Sequence, residues 1–221
     1  MKKVLFILFG IVLLTGCGSS SVNTDSKLYK IKNNMLSEVD NYSYDVVMTS
    51  ETGFIDVDTT MSCKNDNKNK VVYCYSSTFG VETEEYIDFN SKYDYSKVTT
   101  LYGGAESNGK WTKKKLGNVD DNSYLSLSDY VYDLTESQVD GGILYKGVID
   151  SKKLVSAQND SSININDVIG DDIEIEIFVN SSNYIESMKY SMEVMGINQR
   201  VSINFNNFNT TGDVSIPSDI K

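Results

Sequence analysis

Three stretches near the C-terminus alternate apolar and polar residues, and that period of two decides what this chain can fold into. Ile173, Ile175, Ile177 and Val179 alternate with Asp172, Glu174 and Glu176. Met188, Tyr190, Met192 and Val194 alternate with Ser187, Lys189, Ser191 and Glu193, and Val201, Ile203 and Phe205 with Ser202, Asn204 and Asn206. Successive side chains on a strand point to opposite faces, so each stretch is a strand with one apolar and one wet face. The sequences between them, Asn180-Ser181-Ser182-Asn183 and Gly196-Ile197-Asn198, are turns. Together the three make an antiparallel meander.

The same pattern runs through the first half. Tyr42, Tyr44, Val46 and Met48 alternate with Ser43, Asp45 and Thr49. Ile55, Val57, Thr59 and Met61 alternate with Asp56, Asp58, Thr60 and Ser62. Further strands are expected over 71–79, 82–89, 93–102 and 143–149, and glycines 103, 104 and 109 mark a loop before Lys110-Trp111-Thr112-Lys113-Lys114-Lys115. Helical spacing occurs at Leu28, Ile31, Met35, Leu36 and Val39, which predicts an amphipathic helix over 26–40. It returns at Leu127, Tyr130, Val131 and Leu134 after a start signal at Ser126 and Asp129, and a short helix is expected from Asp150 carrying Leu154 and Val155. The expected fold is mainly β, of the α+β kind. It is a curved antiparallel sheet or half-barrel of about nine to eleven strands, with two or three helices on its concave face, because sheets this wide curl.

The N-terminus carries a different signal. Met1-Lys2-Lys3 precedes an apolar run over 4–14, which ends in Leu14-Thr15-Gly16-Cys17. The run is shorter than the ~20 residues a membrane span needs and fits the roughly 7–15 of a signal-peptide core. The tetrapeptide resembles the lipobox of bacterial lipoproteins. That resemblance implies cleavage before Cys17, lipid on its thiol, and residues 18–25 as a polar tether. The expected division is a signal peptide over 1–16, a lipidated tether over 17–25 and a single β domain over 26–221. The expected location is the extracytoplasmic side of a cell membrane.

Charge and residue types narrow the function. The formal net charge is −11, which repels phosphate backbones, so nucleic acid is not an expected partner. The chain has no histidine, hence neither the commonest general base nor the commonest transition-metal ligand. No catalytic set, cofactor motif or metal site is read, and the chain is not expected to be an enzyme. Asp56, Asp58, Asp171 and Asp172 lack the spacing of a calcium loop. Glu84 and Glu85 read as solvated. Folding a hairpin about Lys68 and Asn69 puts Cys63 opposite Cys74, so either a cross-strand disulfide or two buried thiols is expected there. Tyrosines 73, 75, 86, 93, 95 and 102 form either an aromatic recognition strip or ordinary strand composition.

The pattern as a whole resembles the LolA/LppX-like lipoprotein superfamily. The residues that carry the resemblance are Gly109-Lys110-Trp111-Thr112-Lys113, the stretch Val201 to Phe208, and the ending Val214-Ser215-Ile216-Pro217. In this chain Ile216 directly precedes Pro217, a closer spacing than the family pattern. The resemblance implies an open half-barrel around an apolar cavity that takes acyl chains or whole lipids. Met48, Met61, Met188 and Met192 are candidate lining residues, methionine being adaptable to irregular ligands, or they are ordinary core. The expected role is therefore a membrane-anchored, non-catalytic carrier of a hydrophobic ligand. The other reading is a surface protein with a filled core that binds an envelope protein or glycan.

Overall fold

The computed structural model describes residues 26–53, 55–100, 109–116, 124–149, 172–194 and 196–221. Cys17, the signal, the tether, Tyr102, Asp171 and the helix expected from Asp150 lie outside the described residues. Eleven strands make one antiparallel sheet: β1 (Asn41–Glu51), β2 (Asp56–Asp66), β3 (Val71–Thr78), β4 (Val81–Asp88), β5 (Tyr93–Thr100), β6 (Thr112–Lys115), β7 (Val131–Val139), β8 (Gly142–Ile149), β9 (Ile173–Asn180), β10 (Ile185–Val194) and β11 (Ile197–Asn206). Their order across the sheet is β6-β5-β4-β3-β2-β1-β11-β10-β9-β8-β7. The chain starts in the middle, winds out to one edge, restarts at the other edge and winds back until β11 lies beside β1.

That order favours a curled sheet. β6 and β7 are consecutive strands at opposite edges, and a flat sheet would hold them about 48 Å apart at ~4.8 Å per strand. The connection includes a six-residue 3-10 helix, Leu125–Tyr130. With ~2 Å rise per residue there and ~3.4–3.6 Å elsewhere, the connection reaches about 46–48 Å only if fully extended, which leaves no slack. The sheet curves instead into a half-barrel that does not close, and the described end of the connection, residues 124–130, lies as a strap on its inner face, where Leu125 and Leu127 are buried.

The second cover is α1 (Lys27–Glu38). The Ser26 hydroxyl accepts from the Tyr29 N–H at 3.1 Å and caps its start. Leu28, Ile31 and Met35 face the sheet, as their spacing requires, and Val39 follows them into the core. Lys32 lies on the buried side too. It is paired with Asp129 of the 3-10 helix, both side chains being below one-tenth exposed.

One expected helix is corrected. The spacing of Leu127, Tyr130, Val131 and Leu134 gives only the short 3-10 helix, and β7 starts at Val131. The strand was hidden because its register shifts between Tyr132 and Thr135, around Asp133 at φ 49°. It is also an edge strand, exposed from Tyr132 to Val139, so it carries no apolar alternation. The bulge brings β7 close to β8, where a Cβ on Gly147 would lie 2.5 Å from Val131 Cγ1 and 2.8 Å from the Tyr132 carbonyl oxygen.

Candidate functional site: the inner face of the half-barrel

Strand parity and register place every inward side chain in rows across the sheet. One row runs Met61, Val46, Ile203, Met188, Ile177, Tyr145. The next contains Thr59, Met48, Val201, Tyr190 and Ile175, and the one beyond it Val57, Ser50, Gln199 and Met192. The four methionines therefore share one face within three adjacent rows. Their exposures are 1% for Met48, 6% for Met61, 0% for Met188 and 8% for Met192, and all belong to one contiguous apolar cluster with α1 and the strap. In this state the methionines are packed against other side chains.

The two ends of this face differ in chemistry. At one end Tyr42, Tyr44 and Phe205 meet with ring centroids 5.8–6.1 Å apart, and Tyr124 of the strap sits 5.5 Å from Tyr44. Burial holds the Tyr44 and Tyr124 hydroxyls far above the ordinary tyrosine range, so both stay neutral. The opposite end carries Met192, Gln199 and Ser50. Gln199 is 1% exposed, yet among the described residues neither its Nε2 nor its Oε1 has a hydrogen-bond partner.

Toward β5 the inner face turns polar. Cys63 and Cys74 are directly opposed in register, their Cα atoms 4.2 Å apart and their sulfurs bonded, and the Tyr44 hydroxyl lies 3.9 Å from Cys74 Sγ. The Thr59 and Thr78 hydroxyls are hydrogen-bonded to each other, and Asn65 Nδ2 donates to the Tyr42 hydroxyl at 2.8 Å. Next to Cys74 in register stands Glu85. The expectation that Glu84 and Glu85 are both solvated is corrected here, because neighbours on a strand cannot share a face. Glu84 points outward to Lys97 at 2.8 Å, while Glu85 points inward against Asp94. Burial, the Asp94 charge and the hydrogen bond to Asp94 push the Glu85 carboxyl up to about 8. Burial raises Asp94 as well, against the hydrogen bond from Glu85 and the charge of Lys114. The pair thus holds a proton at neutral pH. Its members touch, whereas two carboxyls that act across a glycosidic bond stand roughly 5–9.5 Å apart.

The outer face holds Tyr73, Tyr75, Tyr86, Tyr93 and Tyr95. Tyr73 and Tyr86 stack at 4.7 Å, Trp111 lies 5.7 Å from Tyr86, and Lys113 sits over Tyr93 and Tyr95 at 4.3 and 5.1 Å. The basic triplet divides accordingly: Lys113 and Lys115 oppose Tyr95 and Tyr93, and Lys114 opposes Asp94. The C-terminal segment docks on this side. Val214 and Ile216 pack with Val71 and Tyr95, and the Val214 N–H donates to Asp66 at 2.9 Å. Over β8–β11 the outer face forms an open groove of about 740 Å3, whose walls carry Lys146, Glu176, Lys189 and Arg200. Lys146 pairs with Glu176 and Arg200 with Glu51, so this groove is wet and charged. Among the described residues no cluster of three or more potential metal-ligating side chains occurs, and no helix is long and apolar enough to cross a membrane.

No family model matches the chain, and no curated protein matches it in sequence. Solved structures similar to it include the lipoprotein LppX of Mycobacterium tuberculosis, 10% identical, with a TM-score of 0.41 over 85% of this chain and 96% of that one. A DUF1329 family protein from Desulfovibrio piger is 11% identical, with a TM-score of 0.35 over 88% of this chain and 98% of that one. A putative outer membrane lipoprotein-sorting protein domain from Vibrio parahaemolyticus is 6% identical, with a TM-score of 0.34 over 83% and 93%. Likenesses this distant assign the chain neither a family nor a ligand.

Proposed function

We propose that this chain is an exported lipoprotein that holds a hydrophobic ligand, an acyl chain or a lipid, in its half-barrel. Residues 1–16 serve as the signal, Cys17 carries the lipid, residues 17–25 are the tether, and residues 26–221 form the binding domain on the extracytoplasmic side of the membrane. The observation that carries the reading is on the inner face: one contiguous apolar cluster that includes four methionines, on a sheet left open at both edges. Its described covers are a 12-residue helix and the strap with its 3-10 helix, joined by the Lys32–Asp129 ion pair. Neither cover is a strand of the sheet, so lifting them breaks no ladder hydrogen bond. Uptake requires that movement, since Met48 and Met188 are closed off in this state. Methionine side chains can then re-pack around a chain of variable length.

Native mass spectrometry of the chain from Ser26 onward, purified without detergent, tests the reading. A co-purifying acyl species, or saturable uptake of a fluorescent lipid, is the expected result. Absence of both sinks it. The lipid anchor is tested separately: Cys17→Ser should move the protein from the membrane to the soluble fraction, and unchanged partition refutes it.

A second reading is favoured by one observation. The near-complete burial of the methionines is also what a permanently filled core looks like. The working surface would then be the outer tyrosine–tryptophan strip over β3–β6, facing an envelope protein or glycan.

A further inference from the structure

A primary amide enclosed among apolar side chains with its donors and its acceptor all unused is costly to the fold. Buried polar groups are nearly always paired, because each one left without a partner forfeits the hydrogen bonds it made to water. Gln199 is 1% exposed, and among the described residues its amide has no hydrogen-bond partner. Strand parity points it to the inner face, next to Met192 on β10 and Ser50 on β1 in register, one row from Met48. It stands near the β10–β11 turn, at the rim opposite the aromatic end. The cations nearest in sequence, Arg200 and Lys189, both line the groove on the outer face.

We propose that Gln199 is the polar anchor of the acyl site and selects a neutral head, a primary fatty amide, at the rim end of the half-barrel. This rests on the acyl-binding reading above. The Gln199 Nε2–H would donate to the ligand's carbonyl oxygen, and Gln199 Oε1 would accept from the ligand's N–H. A primary amide presents the complementary acceptor and one donor side by side, whereas a trans secondary amide turns them to opposite sides. The tail then runs inward along Met192 and Met48 toward Met188. An ionised carboxylate is disfavoured, because no described cation faces it there and a buried unpaired charge is far costlier than a buried amide. Access needs the same lifting of the cover that uptake itself requires.

Photo-crosslinking in the full chain, in its native membrane, tests the proposal with two probes: palmitamide and the matching straight-chain alkane, each with a mid-chain diazirine. The wild-type chain should capture the amide about tenfold better than the alkane, the worth of one well-placed hydrogen-bonded head. Gln199→Met, of similar length and without the polar head, should capture both probes equally. It should melt no lower than wild type. If Gln199→Met misfolds, Gln199→Leu is read in the same way. A tenfold preference that survives the substitution overturns the proposal, as does a wild type that captures the alkane equally well. Either result leaves acyl binding standing. Capture of neither probe by the wild type overturns acyl binding itself, and the proposed anchor with it.

Discussion

Glu85→Gln should make the protein more stable in mild alkali and leave it unchanged in mild acid. An unfolded glutamate ionises near 4.5, while in the folded protein Glu85 keeps its proton to about 8. Below 4.5 the group is protonated in both states and contributes no pH dependence. Between 4.5 and 8 the unfolded chain releases a proton that the folded chain retains, so stability falls as pH rises, at up to about 1.4 kcal/mol per pH unit. Over that window the loss would reach about 5 kcal/mol. Glu85 is only partly buried, and its carboxyl can turn toward solvent once charged, so about 2 kcal/mol is the screened expectation. Glutamine keeps the donor toward Asp94 and cannot ionise. The variant should therefore match wild type at pH 5 and exceed it by about 2 kcal/mol at pH 9, which for a domain of this size is roughly 4–8 °C in Tm. Tyr44 and Tyr124, held well above the usual tyrosine range, stay neutral throughout. Asp66 and Asp88, held below the usual carboxylate range by hydrogen bonds that outweigh their burial, lose their contribution only at more acid pH. Urea unfolding followed by Trp111 fluorescence at pH 5, 7 and 9 measures the difference. Parallel stability curves for the two proteins would refute the inward, proton-sharing placement of Glu85.

Four other variants probe the frame around the site. Replacing both Cys63 and Cys74 by serine should cost about 3 kcal/mol, the loop-closure value for a bridge of this span; a Tm insensitive to reductant in the wild type would contradict it. Asp129→Leu alone should destabilise by about 3–5 kcal/mol, because it strands the buried Lys32 charge, whereas Lys32→Met with Asp129→Leu should recover most of that loss. Equal destabilisation of the single and double variants in urea titrations would rule the pair out as a buried contact. Gly147→Ala should cost about 1–3 kcal/mol by pushing β7 off β8, read as loss of amide-exchange protection in Val131–Val139 ahead of β9–β11.

How much of this was legible in the sequence depends on parity. The alternations at Ile173–Val179, Met188–Met192 and Val201–Phe205 became β9, β10 and β11 with the apolar residues inward, because half-buried strands print their period directly. β7 printed nothing, since an exposed edge strand with a bulge has neither an apolar face nor a constant period. Gln199 and Glu85 were readable in principle. Counting back by two from Val201 lands on Gln199, and counting forward by two from Thr83 lands on Glu85. Both are polar residues on the inward beat. The Lys32–Asp129 pair and the juxtaposition of β1 with β11 carry no local signal, because each joins residues far apart in the chain.

The pairing of β1 with β11 also sets the order in which the molecule can be completed. Ser43 pairs with Lys64 of β2 on one side but with Asn206 on the other, so on a ribosome or a translocation channel one edge of the first strand waits for the last. Until then β1–β6 form a half-sheet whose inner edge, destined for the centre of the molecule, offers a full row of unused amides and carbonyls. Such a row is a template for any other extended chain nearby. Contacts of this sequence separation fold slowly, and the waiting species is the aggregation-prone one. A stop codon or cleavage upstream of residue 197 would therefore leave a persistent sticky half rather than a slightly weaker protein, and such a fragment should depend on holdase chaperones for as long as it exists.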